Sequence, residues 1–345
     1  MGITKMYDLK ISITKKCNLK CIYCHYTDKE TLEEDLPFEF WKKLLLEYKN
    51  LKLPFIKEKK VTITGGEALL HKDFWNILKF SKELNFYTSL PTNGTLLTSD
   101  IVKKYKELGV NDVIIAFDGK KENHEKLRGK GTFEKALKGA ELIKKYGIKL
   151  LITTCLTKIN YKDLPEVIKL AKDLGAKLVI IFHYISLGRG KEEFFNGELS
   201  KEEILESLFE IYTLAEKYKD SLELCTTTIP QYWVLLSLMY QKKKYVPSYF
   251  HKVFPGCRAV LDFVYITNQG KVYPCPLLQD SLGDLKEKSL KEILVSEKAK
   301  SYASRVYFKV CVSCKYKNIC GGCKVRKDPL CPYLLENIEK RVNQI

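Results

Sequence analysis

Apolar and polar positions change period repeatedly along the chain. Short apolar or alternating runs cover residues 8–14, 60–64, 86–90, 112–117, 149–156 and 177–184, and these read as strands. Between them, residues 38–49, 72–84, 98–108, 132–146 and 163–174 place apolar side chains three and four apart, the spacing of one helix face. Gly109, Gly147 and Gly175 stand just past three of these helices, where a left-handed residue ends the last turn. Six strand–helix units in succession predict an α/β fold with a parallel sheet and helices outside it. A doubly wound open sheet and a partial barrel fit this alternation equally. A helix over 200–218 and a short strand over 222–225 follow, then an aromatic-rich bridge with a helix near 232–240. The domain boundaries expected from this pattern are 1–225, a bridge over 226–256, and a second domain over 257–345.

Composition narrows the class without deciding it. The 345 residues are 45% hydrophobic and 29% charged, as in a soluble globular chain, and no run of about 18 apolar residues suggests a membrane span. The N-terminus has no signal-peptide pattern, so a cytoplasmic address is expected. The net charge of +17 fits a lysine-rich solvated surface. It also fits an anionic partner: an acidic peptide, a polycarboxylate or an electron carrier. No RNA-binding motif accompanies the charge, and nucleic acid is not an expected partner.

The cysteines change the picture most. Twelve of them in a chain with a cytoplasmic address point to metal rather than disulfides. Cys17, Cys21 and Cys24 fall on one short stretch, ITKKCNLKCIYCHY, at intervals of three and two intervening residues. Iron–sulfur sites use thiolates at such spacings. Three thiolates leave one iron of a four-iron cube open, whereas a structural zinc site wants four ligands. Seven more cysteines crowd the last 89 residues: Cys257, Cys275, Cys311, Cys314, Cys320, Cys323 and Cys331. Two C-x2-C pairs among them suit a zinc ribbon, but seven thiols exceed one zinc site and make an awkward two. Residues 259–266 and 271–273 flank Thr267-Asn268-Gln269-Gly270 and read as a hairpin presenting Cys275. Cys155 and Cys225 lack metal-like neighbours and read as buried packing.

The first cysteine run, followed about 40 residues on by Gly65-Gly66-Glu67 at a strand end, resembles the radical SAM superfamily. The resemblance implies a partial (β/α)6 barrel with active residues at the C-terminal strand ends. It implies that Cys17, Cys21 and Cys24 hold a [4Fe–4S] cluster whose open iron binds S-adenosylmethionine (SAM). Reduction then yields a 5′-deoxyadenosyl radical that abstracts hydrogen. It also implies SAM contacts from Tyr23, from Gly65, Gly66 and Glu67, from the Thr92-Asn93-Gly94 turn, from Asp118, and from Arg128 in NHEKLRG, beside His124. Related chains often have serine where this one has Ala116. Leu156 and Tyr184 become candidates to line SAM, and His183 and Arg189 of Gly188-Arg189-Gly190 candidates to hold substrate.

The C-terminal cysteines resemble the SPASM domain, whose pattern implies two auxiliary [4Fe–4S] clusters. Carried over residue by residue, Cys257, Cys275 and Cys323 hold the first, and Cys311, Cys314, Cys320 and Cys331 the second, for three clusters in all. Two residues between Cys320 and Cys323, where relatives have three, are a departure. SPASM enzymes mostly act on peptides or proteins, so peptide maturation by cross-linking or oxidation is the first expectation. The segments CGGCKVR (320–326) and DPLCPY (328–333), with GRG, also resemble enzymes of heme and heme-d1 synthesis. Modification of a carboxylate-bearing tetrapyrrole is therefore the alternative. Pro276 stands where sulfatase maturases have aspartate. A low-potential donor such as ferredoxin or flavodoxin is the implied electron source. A non-enzymatic Fe–S electron carrier is the remaining class.

Overall fold

The computed structural model describes residues 6–27, 34–52, 56–253, 255–304, 309–326 and 330–345. Asp328 and Pro329 of the DPLCPY segment lie outside the described residues. Seven parallel strands run in sequence order: β1 (Met6–Thr14), β2 (Glu58–Gly65), β3 (Tyr87–Thr92), β4 (Asp112–Ala116), β5 (Lys149–Leu156), β6 (Leu178–His183) and β7 (Glu223–Thr227). A doubly wound sheet reverses its strand order at a switch point. No reversal occurs between β1 and β7, so the partial barrel is the fold.

The two faces of the sheet tell the same story. Along β1, Leu9, Ile11 and Ile13 are fully buried on the side of the helices, against Trp41, Leu45 and Tyr48 of the helix Phe38–Asn50. Each such side chain contributes about 2 kcal/mol of burial. The alternate residues Asp8, Lys10, Ser12 and Thr14 face the other way, because side chains along a strand alternate. A parallel sheet covered by helices on both faces would be apolar throughout. Here the inner face carries Asp8, which accepts the Thr62 hydroxyl at 2.8 Å and lies 3.6 Å from Lys10 and 3.8 Å from Lys60. It also carries Asp112, which accepts Tyr87 at 2.7 Å and Ser89. Toward β4–β6 the inner face turns apolar, with Ile114, Leu151, Ile180 and Phe182.

Helix ends follow the sequence closely. Gly109 and Gly147 take positive φ (73° and 65°) just past the helices Ser99–Glu107 and Thr132–Lys145. Ser200 and Glu203 form a reciprocal capping box on the helix Lys201–Lys217. The helix Lys121–Arg128, which carries His124 and Arg128, was not expected from the periodicity.

The segment after 257 does not start apart from the barrel. β8 (Phe263–Ile266) pairs parallel with β1 on the side away from β2, and β9 (Lys271–Tyr273) and β10 (Gly283–Asp284) continue the same sheet antiparallel. The expected hairpin is therefore present but is sealed to the barrel along β1. The terminal helix Tyr333–Gln344 packs on the helices Tyr232–Gln241 and Lys201–Lys217.

Candidate active site

The cysteine loop leaves the sheet after Thr14 and is held from three sides. Gly66 and Glu67 donate backbone N–H groups to the carbonyls of Thr14 and Lys16, both at 2.8 Å. A Cβ on Gly65 would lie 2.4 Å from the Thr14 carbonyl oxygen, and one on Gly66 would lie 2.5 Å from that of Lys16. Only glycine allows this approach. From the helix side, Ile22 N–H bonds to Leu127 O at 3.0 Å. From the end of β6, Arg189 and Gly190 N–H bond to Tyr26 O and Cys24 O, both at 3.0 Å. Cys17 is exposed, Cys21 and Cys24 half-buried. Burial pushes the Cys21 thiol up to about 12. A thiolate there needs a cation or metal to stabilise it.

Beside these thiols stands an incompletely satisfied carboxylate. Glu67 is almost fully buried, and one of its oxygens accepts the Thr92 hydroxyl and the Asn93 N–H, each at 2.9 Å. Its other oxygen, Oε1, is buried with no hydrogen-bond partner among the described residues. Burial pushes the carboxyl above its ordinary range. Asn93 continues the chain of contacts to Asn18 Oδ1 at 2.9 Å and Cys17 Sγ at 3.9 Å. On the opposite side, Asp118 accepts the Tyr23 hydroxyl, the Arg128 Nε–H, and the Cys155 N–H at 2.7 Å. Burial alone would raise the Asp118 carboxyl, but Arg128, His124, the Tyr23 hydroxyl and the Cys155 N–H together outweigh it and hold the group below the usual range. The Arg128 guanidinium lies 5.5 Å over the Tyr23 ring, and Tyr184 meets that ring edge-on at 6.4 Å. Three clustered thiols and an orphaned buried carboxylate oxygen fit an iron–sulfur cube together with a ligand bearing an ammonium group.

The C-terminal thiols fall into two sets. Cys257, Cys275 and Cys323 lie near enough to act on one another electrostatically. So do Cys311, Cys314, Cys320 and Cys331, which line a cavity of about 290 Å³ with Tyr316 and Gln231. Gln231 donates to Cys331 Sγ at 3.2 Å. Gly321 and Gly322, both at positive φ (70° and 75°), turn the chain between the two sets. Among the described residues, no three His, Cys, Asp or Glu side chains gather round one point as a single ion requires. Zinc–sulfur bonds of about 2.3 Å would bring thiolates within roughly 4 Å of each other.

A model of the radical SAM superfamily matches residues 11–171, and one of the iron-sulfur cluster-binding SPASM domain matches 257–324. The chain carries a radical SAM domain and, after it, a SPASM domain. An AdoMet-dependent heme synthase of Methanosarcina barkeri is 27% identical over 330 residues, which is 91% of this chain and 90% of that one. A cysteine-type anaerobic sulfatase-maturating enzyme of Clostridium novyi is 26% identical over 343 residues, 92% of this chain and 88% of that one. SuiB of Streptococcus suis shares the fold, with a TM-score of 0.72 at 20% identity over 92% of this chain and 73% of SuiB.

Within this radical SAM fold, three residues singled out from the sequence lie elsewhere than expected. Leu156 and His183 sit on the helix-facing side of β5 and β6, not on the inner face. His183 bonds to Ser207 Oγ at 2.8 Å and faces Thr226 Oγ1 at 3.3 Å, and burial lowers its pKa to about 3. Arg189 is not at the mouth: its guanidinium is buried under the cluster loop and donates to Cys21 O at 3.2 Å. Gly188 presses backbone to backbone against that loop, so a Cβ on it would lie 2.2 Å from His25 O, while one on Gly190 would meet the Tyr184 hydroxyl.

Two residues enter the site unannounced. Cys155 faces inward, bonded through its N–H to Asp118, where simple packing was expected. Arg326, from the SPASM segment, donates to Thr228 O at 3.2 Å and Tyr184 O at 3.3 Å, and pairs with Glu198 at 3.5 Å. It ties the SPASM domain to the strand ends. An arginine three residues after Cys323 was the only available signal.

Proposed function

We propose that this radical SAM protein abstracts hydrogen from a carboxylate-bearing tetrapyrrole, with one cluster at Cys17, Cys21 and Cys24 and two auxiliary clusters at the C-terminal cysteine sets. When bound, the first cluster and SAM supply a 5′-deoxyadenosyl radical upon one-electron reduction. The protein's own work is positioning. Glu67 Oε1 takes the SAM ammonium, while Thr92 and Asn93 fix the carboxylate's other oxygen. Asp118 locks Tyr23 and Arg128, leaving the remaining guanidinium N–H groups for a carboxylate. The 188–190 segment closes the loop from behind.

The observation that carries the substrate class is the divided inner face. Ile180 and Phe182 are partly exposed on one wall, and Lys10 and Lys60 stand on the other. A flat apolar ring with carboxylate arms suits both. The heme synthase relative, aligned over nine-tenths of both chains, supports this reading. On this support we take tetrapyrrole first and peptide second, the reverse of the order expected from sequence alone. Peptide or protein maturation is the second reading, favoured by the similar coverage of the sulfatase-maturating relative. The lysine-rich exterior suits an acidic low-potential donor such as ferredoxin or flavodoxin. No described helix is long and apolar enough to cross a membrane, and a cytoplasmic setting is part of the proposal.

The test is to incubate the reduced enzyme and SAM with an iron-coproporphyrin. A SAM-dependent mass change in the porphyrin, with 5′-deoxyadenosine formed alongside, is expected. An unchanged porphyrin, with a peptide encoded beside the gene modified on co-expression, would transfer the assignment to peptide maturation.

A further inference from the structure

The inner face of β1 carries a charge whose reach extends beyond the substrate wall. Lys10 points into the barrel between the outward Leu9 and Ile11, with its ammonium 3.6 Å from Asp8 and 4.9 Å over the Phe263 ring. Asp8 is shared with Lys60 at 3.8 Å. Two ammoniums and one carboxylate leave one net positive charge. Strand register brings that charge to the auxiliary cysteines. Lys10 pairs with Tyr265 of β8, Tyr265 pairs with Tyr273 of β9, and Cys275 follows Tyr273 by two residues. The antiparallel return therefore carries Cys275 back toward Phe263, where the Lys10 ammonium lies. Among the described residues, other cations also stand near this set: Arg326 is matched by Glu198 at 3.5 Å, Arg258 next to Cys257 is matched by Asp262 at 2.6 Å, and Lys324 next to Cys323 lies 3.8 Å over the Tyr302 ring.

We infer that Lys10, with its charge only partly neutralised by Asp8, raises the reduction potential of the cluster held by Cys257, Cys275 and Cys323, making it the auxiliary cluster that takes up the substrate electron. The inference rests on the cluster assignment proposed above. Iron–sulfur potentials respond to nearby charge, hydrogen bonds and exposure. The step is one electron entering the cluster with no bond made or broken; its donor is the substrate radical left by hydrogen removal, which is oxidised by one electron. A unit charge at about 10 Å through an effective dielectric of about 20 shifts the reduced-to-oxidised ratio roughly tenfold. Tenfold corresponds to about 59 mV for one electron.

The experiment is a redox titration, followed by electron paramagnetic resonance, of the full chain reconstituted anaerobically. Lys10→Met is expected to move one midpoint negative by about 59 mV. Asp8→Asn, which removes the balancing carboxylate, is expected to move the same midpoint positive, and Lys10→Arg to leave it near wild type. The other midpoints stay in place. Cys275→Ala identifies the signal by removing it. Iron content and melting temperature reveal a variant that has not folded; the Arg and Asn variants then carry the comparison. Lys10→Met and Asp8→Asn leaving every midpoint unchanged, or moving one in the same direction, would overturn the role of Lys10. A wild-type spectrum with no signal that Cys275→Ala removes would overturn the cluster assignment, and the inference with it.

Discussion

Glu67 offers the sharpest separation between a ligand-binding group and a structural one. Glu67→Gln keeps an oxygen that can accept from Thr92 and Asn93, so the turn after β2 retains both 2.9 Å bonds. What changes is the buried, partnerless Oε1, which becomes an uncharged NH2 donor facing the SAM ammonium. A hydrogen bond to a charged group is worth about 1.5–3 kcal/mol. With about 1.4 kcal/mol per factor of ten, the SAM dissociation constant should rise roughly 10- to 150-fold. The free protein should respond in the other direction. Burial raises the Glu67 carboxyl, so its folded-state pKa exceeds the unfolded value. Its contribution to stability is then full below the unfolded pKa and is lost as pH rises through the folded one. At neutral pH the Gln variant should therefore be no less stable than wild type. SAM affinity of the wild type should strengthen as pH rises through that same raised pKa, and the variant should be flat. Equilibrium dialysis with the anaerobically reconstituted protein, alongside thermal melts, reads both effects. A variant that binds SAM within twofold of wild type, or that melts well below it, would refute the ligand role of Oε1.

Other outcomes follow from neighbouring groups. Asp118→Asn leaves the nearly buried Arg128 without its ion-pair partner and should cost about 3–5 kcal/mol in a denaturant melt. His124 and His183 are held neutral by burial, with pKa values of about 4 and about 3. The unfolded chain binds their protons first, so stability should fall as pH drops from about 6.5 toward those values. Replacing His183 by Gln should flatten that part of the acid-unfolding curve. Replacing Cys311 and Cys314 by Ala should spare deoxyadenosine formation and stop product formation, measured by chromatography of one reaction mixture.

The strand-end residues were legible because their chemistry is written in short spacings. Cys17, Cys21 and Cys24, Gly65-Gly66-Glu67 and Thr92-Asn93-Gly94 all meet around one loop. Face was harder to read than position. Leu156 and His183 end their strands as expected, but each falls on the helix-facing side, and a one-residue change of parity separates the two walls. Arg189, expected to hold substrate, misled for a related reason: Gly188 serves close backbone contact beneath the loop, and the guanidinium is spent on Cys21 O. Lys10 and Lys60 were invisible as interior cations, since lysines within a strand of a lysine-rich chain read as solvated surface. The pairing of β8 with β1 joins residues more than 250 apart, such as Asp8 and Phe263, and no local pattern encodes it. The choice between open sheet and barrel likewise needed the strand order, not the periodicity.

The most direct measurement is 5′-deoxyadenosine released from SAM by the anaerobically reconstituted, dithionite-reduced chain, compared with the Cys17→Ala, Cys21→Ala and Cys24→Ala variants. Wild type should release it and contain about twelve irons, as three four-iron cubes require. Each variant should release none. Deoxyadenosine persisting in the variants, or a wild-type chain that holds zinc and leaves SAM intact, would contradict the assignment of the loop.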